Sequence, residues 1–136
     1  MGPARGRMTE IDALLEKWEE VYKKGLLSFW MLLVLHRRPA YAFEMNALIQ
    51  QLSQGTISAD DNSLYRALSR FEDMGLVASE LQPSPSGPAR RYFSLTPAGR
   101  QLLRRFIERN VMVFRNEEVE QEIGKVREDG DVKRET

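Results

Sequence analysis

Taken by its apolar positions alone, the chain shows long stripes at helical spacing and two short alternating runs between them. Ile11, Leu14, Leu15, Trp18, Val21 and Tyr22 recur at steps of three and four, behind Thr9 as a cap and Glu10 and Asp12 as first-turn acids. That spacing predicts a helix over 9–23. Gly25 is read as an interruption, and Leu26–His36 as a second helix, apolar nearly all round and therefore central. Pro39 cannot continue it, so 37–40 reads as a turn. Tyr41–Leu52 follows as a helix with Met45, Leu48, Ile49 and Leu52 on one face, closed near Gly55. Leu64, Ala67, Leu68 and Phe71 then stripe a helix over 60–74, capped by Asp60 or Asp61 and stopped at Gly75. Leu76–Leu81 and Arg90–Leu95 alternate as strands around a flexible loop rich in proline, so Arg90 and Arg91 are expected at the tip of a hairpin. Thr96 and Pro97 open a last helix, whose apolar face (Leu102, Leu103, Phe106, Ile107, Val111–Phe114) thins beyond Asn116 and runs to about Lys125.

These elements give a fold that is mainly α with a small β-hairpin: a winged helix-turn-helix with an added N-terminal helix and a long C-terminal helix. The expected division is a disordered tail 1–8, the N-terminal helix 9–23, the winged domain 24–95, a dimerisation helix 96–125 and a frayed acidic tail 126–136. The N-terminal stripe needs a partner, either within its own subunit or on a second one.

Charge sharpens the picture locally. The 20 basic and 20 acidic residues cancel, yet 82–109 holds six arginines against one glutamate, and 115–136 is net acidic. A phosphate-binding surface depends on such local charge rather than on the sum. The polar face of the 60–74 helix carries Asn62, Arg66, Ser69 and Asp73, with Tyr65 and Arg70 on its flanks. Arg and Asn are the side chains that most often read base edges in the major groove. The plain alternative is a solvated surface helix. With no cysteine and a single histidine, His36, there is neither a disulfide nor a conventional metal site, and no cofactor is expected. An enzyme is disfavoured too, since no paired Ser/His, Cys nucleophile or phosphate-cradling glycine loop is present. The longest apolar run is too short for a bilayer, which makes a cytoplasmic protein without membrane partners the default.

Several short motifs resemble the PadR-like winged-helix transcriptional regulators over about Lys24–Phe106. Gly25-Leu26-Leu27 leads into an apolar helix as in that family. Pro39-Ala40-Tyr41-Ala42-Phe43-Glu44-Met45 is similar to its Pro-x-His-Gly-Tyr-Glu-Ile turn, with identities at Pro39 and Glu44. Ser63-Leu64-Tyr65-Arg66-Ala67-Leu68 is similar to Thr-Leu-Tyr-Pro-Ala-Leu, and Met74-Gly75-Leu76-Val77 to Glu-Gly-Leu-Val. The run Gly87–Arg100 follows Pro-x-Arg-Lys-Tyr-Tyr-x-Leu-Thr-x-x-Gly. The departures are Tyr41 and Ala42 for His and Gly, Asp60-Asp61-Asn62 for Ser-Pro-Gly, and Arg66 for a proline.

The resemblance implies a dimeric, sequence-specific repressor that binds double-stranded DNA. Asn62 and Arg66 are then the candidates for base edges, Ser63, Tyr65 and Arg70 for phosphate, and Arg90 and Arg91 for backbone or minor groove. Leu103, Phe106, Val113 and Phe114 are the expected homodimer contacts. Many relatives sense small hydrophobic or aromatic effectors between subunits. Trp18 and Trp30 are rings able to line such a site, but neither lies on the last helix, so no ligand residue is carried over, and Trp30 is read as core. A protein–protein adaptor on the same fold is the competing reading, favoured by zero net charge and the Asp60-Asp61 pair.

Overall fold

The computed structural model describes residues 9–135, with side chains to 129. The expected tail 1–8 and the final residue lie outside the described residues. One helix, α1 (Glu10–Arg37), opens the fold. Thr9 caps it reciprocally with Asp12: the Asp12 N–H donates to Thr9 Oγ1 (3.0 Å) and the Thr9 N–H to Asp12 Oδ2 (3.3 Å). The expected break at Gly25 does not occur. A mid-helix glycine costs only about 1 kcal/mol, and strong helix formers flank it on both sides. The helix ends where the residue before Pro39 must be extended, and Arg38 is.

A two-residue strand, β1 (Ala40–Tyr41), follows; it is too short for any sequence period to reveal. Helix α2 (Ala42–Leu52) then starts from Tyr41, whose N–H donates to Glu44 Oε1 at 3.3 Å. The link to the next helix is held by side chains. Ser53 Oγ accepts from the Ile57 N–H (3.1 Å), and Asn46 Oδ1 accepts from the Ala59 N–H (3.0 Å). Gln54 and Gly55 take positive φ there. Helix α3 (Asp61–Asp73) buries Leu64, Ala67, Leu68 and Phe71, the four positions its spacing predicts.

The hairpin differs most from expectation. Strands β2 (Val77–Ser84) and β3 (Gly87–Leu95) pair through most of the stretch expected to be a loose loop. Only Pro85-Ser86 turns. Arg90 pairs with Gln82 and Arg91 with Leu81, so both arginines lie inside the ladder rather than at its tip. The prolines Pro83, Pro85 and Pro88 suit the end of a hairpin that has no further neighbours. β1 pairs on the other edge of β3, giving a sheet in the order β1-β3-β2.

Helix α4 (Pro97–Phe106) begins as predicted, with the Gly99 N–H donating to Thr96 Oγ1 (3.1 Å). The same hydroxyl donates to the Gly75 carbonyl (2.7 Å), which ties the end of α3 to the start of α4. Gly99 lies against the Leu76 carbonyl with no room for a Cβ. The long helix expected over 96–125 is broken. A π-helical turn (Ile107–Val111) and a 3₁₀ turn (Met112–Arg115) intervene, Asn116 is extended, and α5 (Glu117–Glu135) starts anew, continuing beyond Lys125. Asn116 Oδ1 accepts from the Val119 N–H at 3.0 Å. An Asn followed by glutamates is a helix start, and here that local signal outweighs the continuing apolar period.

The core joins Met31, Leu32 and Leu35 of α1 to Met45 and Ile49 of α2, the α3 stripe, Phe93 and Leu95 of β3, and Leu103 of α4. Trp30 is half-buried and meets Phe29 edge-on (5.3 Å), while Phe29 stacks on Phe106 (5.6 Å). Ile11, Leu14, Trp18 and Val21, on the first half of α1, stand outside this core and are exposed.

Candidate nucleic-acid interface

The solvent face of α3 is laid out by the burial of its other face. With Leu64, Leu68 and Phe71 turned inward, Asn62, Tyr65, Arg66 and Arg70 are exposed together. Tyr65 keeps 55% of its surface in solvent, so its ring is not packed into the core. Ser63 behaves differently from its expected role at phosphate. Its N–H donates to Asp60 Oδ1 (2.8 Å) and its hydroxyl to Asp60 Oδ2 (2.9 Å), so both donors are committed to the cap. These bonds, the backbone one foremost, hold the Asp60 carboxyl below its ordinary pKa, and Arg66 adds to the effect. One of the two carboxylates at the head of α3 is therefore occupied as a cap.

Arg90 and Arg91 are neighbours in sequence but leave opposite faces of the hairpin. Arg90 lies with its guanidinium 4.6 Å from the centre of the Tyr41 ring, and Tyr41 meets Tyr92 edge-on at 5.3 Å. Beside them Arg38 forms a forked pair with Glu44 (3.0 and 3.4 Å), a hydrogen bond that raises the Arg38 pKa. Arg91 shares its face with the buried Phe93 and Leu95. Its Nη1 donates to Ser79 Oγ (3.1 Å), and Ser79 donates in turn to Glu72 Oε2 (2.6 Å) on the last turn of α3. Of the two wing arginines, Arg91 is the one physically linked to α3.

Glu72 and Ser79 were not singled out from sequence. Ser79 pairs with Phe93, so Arg91 is its diagonal neighbour on one face of the sheet. That relation follows from the register, and the register follows from a turn at Pro85-Ser86 that the proline-rich composition obscured.

The expected dimer contacts divide. Contrary to expectation, Leu103 is buried in its own chain, at 4% exposure, where it seals the core under α4 and offers no surface to a second subunit. Phe106 is half-buried on Phe29, while Val113 and Phe114 are exposed. Trp18 and Trp30 lie about 18 Å apart along one helix axis and do not share a site within the chain. Among the described residues no group of three or more His, Asp or Glu is placed to hold a metal ion. None of the described helices is long and apolar enough to cross a membrane.

The sequence model of the PadR-like family of transcriptional regulators matches residues 31–105, which covers the end of α1, the helix-turn-helix, the wing and most of α4. No curated protein matches the chain. Among solved structures, a PadR family transcriptional regulator from Eggerthella lenta DSM 2243 is 29% identical, with a TM-score of 0.62 over 85% of this chain and 94% of that one. A PadR-like transcriptional regulator from Bacillus cereus is 27% identical, with a TM-score of 0.58 over 66% of this chain and 85% of its own. Bacillus subtilis PadR, solved in complex with operator DNA, is 17% identical, with a TM-score of 0.56 over 60% of this chain and 46% of its own; that likeness is one of fold. With the family match spanning more than half of the sequence and a winged helix built by the same residues, the chain belongs to the PadR-like family of transcriptional regulators.

Proposed function

We propose that the protein is a dimeric, sequence-specific DNA-binding repressor, with α3 in the major groove and the β2–β3 wing on the adjacent backbone. The observation that carries this reading is the continuous exposed face of Asn62, Tyr65, Arg66 and Arg70, linked through Glu72 and Ser79 to Arg91. In this reading Asn62 and Arg66, exposed near the start of α3, read base edges in the major groove. Tyr65, Arg70 and Arg91 flank them as phosphate contacts that fix register. Arg90, stacked on Tyr41, serves the backbone from the other side of the hairpin. The operator complex of the Bacillus subtilis relative supports duplex DNA as the partner.

One α3 reads only a few base pairs, so specificity calls for two copies with half-sites about one helical turn apart. Two unsatisfied apolar surfaces support that pairing: the first half of α1, and Val113, Phe114, Ile123 and Val126 toward the other end of the chain. Selection of bound fragments from a random DNA pool tests the whole reading. The expected outcome is an enriched two-fold symmetric site. Enrichment of nothing, together with capture of a protein partner, would favour the adaptor role.

A further inference from the structure

The link between α3 and the wing has a function of its own, which rests on the DNA-binding reading above. Three elements meet in it: Glu72 on α3, Ser79 on β2 and Arg91 on β3. A serine hydroxyl has one proton to give and two lone pairs to offer. Here the proton goes to Glu72 at 2.6 Å, the short distance of an O–H donor on a charged carboxylate, and a lone pair faces Arg91 Nη1 at 3.1 Å. The carboxylate thus sets the orientation of the hydroxyl, and the hydroxyl sets the position of the guanidinium.

The spacer matters electrostatically. Among the described residues Glu72 makes no direct ion pair with Arg91. Arg91 spends one of its five N–H donors on Ser79, and the remaining four have no partner among the described residues. The group is held at one corner while it keeps its charge and most of its hydrogen-bonding capacity. An arginine that is free in solution gives up rotamer freedom when it meets a phosphate; one already held gives up less. We infer that Ser79 and Glu72 are positioning residues for Arg91, pre-setting the wing against α3 so that both meet the duplex in one register.

This assigns an unusual sign to Glu72. By charge alone a carboxylate near DNA weakens binding, and its removal should tighten it. As the anchor of Arg91 its removal loosens binding.

The test uses the full chain and a mixed-sequence duplex, since phosphate contacts do not depend on sequence. Binding is measured by fluorescence anisotropy over a range of salt concentrations. Ser79→Ala is expected to weaken binding by about threefold to tenfold, the worth of one hydrogen bond, with the log–log salt slope unchanged. Arg91→Ala is expected to weaken it further and to lower the slope by about 0.9, one phosphate contact. In the Arg91→Ala background, Ser79→Ala should cost nothing more. Ser79→Thr, which restores the hydroxyl, should bind as the parent does, and Glu72→Ala should bind less tightly. Thermal unfolding of each variant checks that the hairpin is intact. Equal losses from Ser79→Ala with and without Arg91, or tighter binding by Glu72→Ala, would overturn the inference while leaving DNA binding in place. A parent protein that shows no salt-dependent binding would instead sink the DNA reading, and this inference with it.

Discussion

Leu68 and Trp18 are both large apolar side chains on amphipathic helices, and their surroundings are opposite. Leu68 has no surface in solvent, whereas Trp18 keeps 73% of its own exposed. The contrast extends to whole regions. Between Met31 and Leu103 the inward stripes of α1, α2 and α3 find their cover inside the chain. On either side of that core, in the first half of α1 and from Met112 to Val126, the stripes have helical spacing but little cover. The same pattern of residues therefore has two outcomes: a stripe in the middle builds the domain, and a stripe at the ends stays exposed. The winged unit is complete as a fold, and on the proposed reading the end segments supply the pairing that a symmetric DNA site requires.

The contrast can be tested from both sides. Leu68→Ala should lower the unfolding free energy by about 2–5 kcal/mol through a cavity that the core cannot close, measured by urea titration, and the loss should not depend on protein concentration. Gly99→Ala places a Cβ against the Leu76 carbonyl and 2.9 Å from Leu95 Cδ2. Because backbone must move, about 3 kcal/mol of destabilisation is expected, again independent of concentration. Trp18→Glu should behave otherwise. It should leave the winged core folded, convert the dimer to monomer in light scattering, and remove the concentration dependence of the melting temperature that mass action gives the parent. A Trp18→Glu protein that stays dimeric would break the assignment of the α1 stripe to subunit contact.

The smallest effect concerns the head of α3. The folded Asp60 carboxyl sits below its ordinary pKa because the Ser63 N–H and hydroxyl stabilise the charged form. Its contribution is thus fully present above the unfolded value, near about pH 4, and is lost as the pH falls through the lower folded value. Asp60→Asn, which still caps, should show a shallower loss of stability below about pH 4 than the parent. Identical acid profiles would count against the cap.

Most of the fold was legible because burial follows period. The four inward positions of α3, the Thr9 and Thr96 caps and the stop at Gly75, whose φ is positive, are all set by residues close to them in sequence. What was not legible depends on partners distant in sequence. β1 exists only because β3 runs beside it, and Ser79 faces Arg91 only because the hairpin turns at Pro85-Ser86. Ser63 was misread for a local reason: a serine three residues after an aspartate can serve the cap as readily as it can serve a ligand. The run from Ile107 to Asn116 was misread because an apolar period continued across a second helix start.

The central claim is that α3 and its wing hold duplex DNA through arginines on both elements, and the salt dependence of binding tests it most directly. In a mobility-shift series, the parent should lose affinity steeply as salt rises. The Arg90→Ala/Arg91→Ala variant should bind more weakly, with a log–log slope smaller by about 1.8, two phosphate contacts at about 0.9 each. A parent whose affinity ignores salt, or a double variant whose slope matches the parent's, would contradict the account.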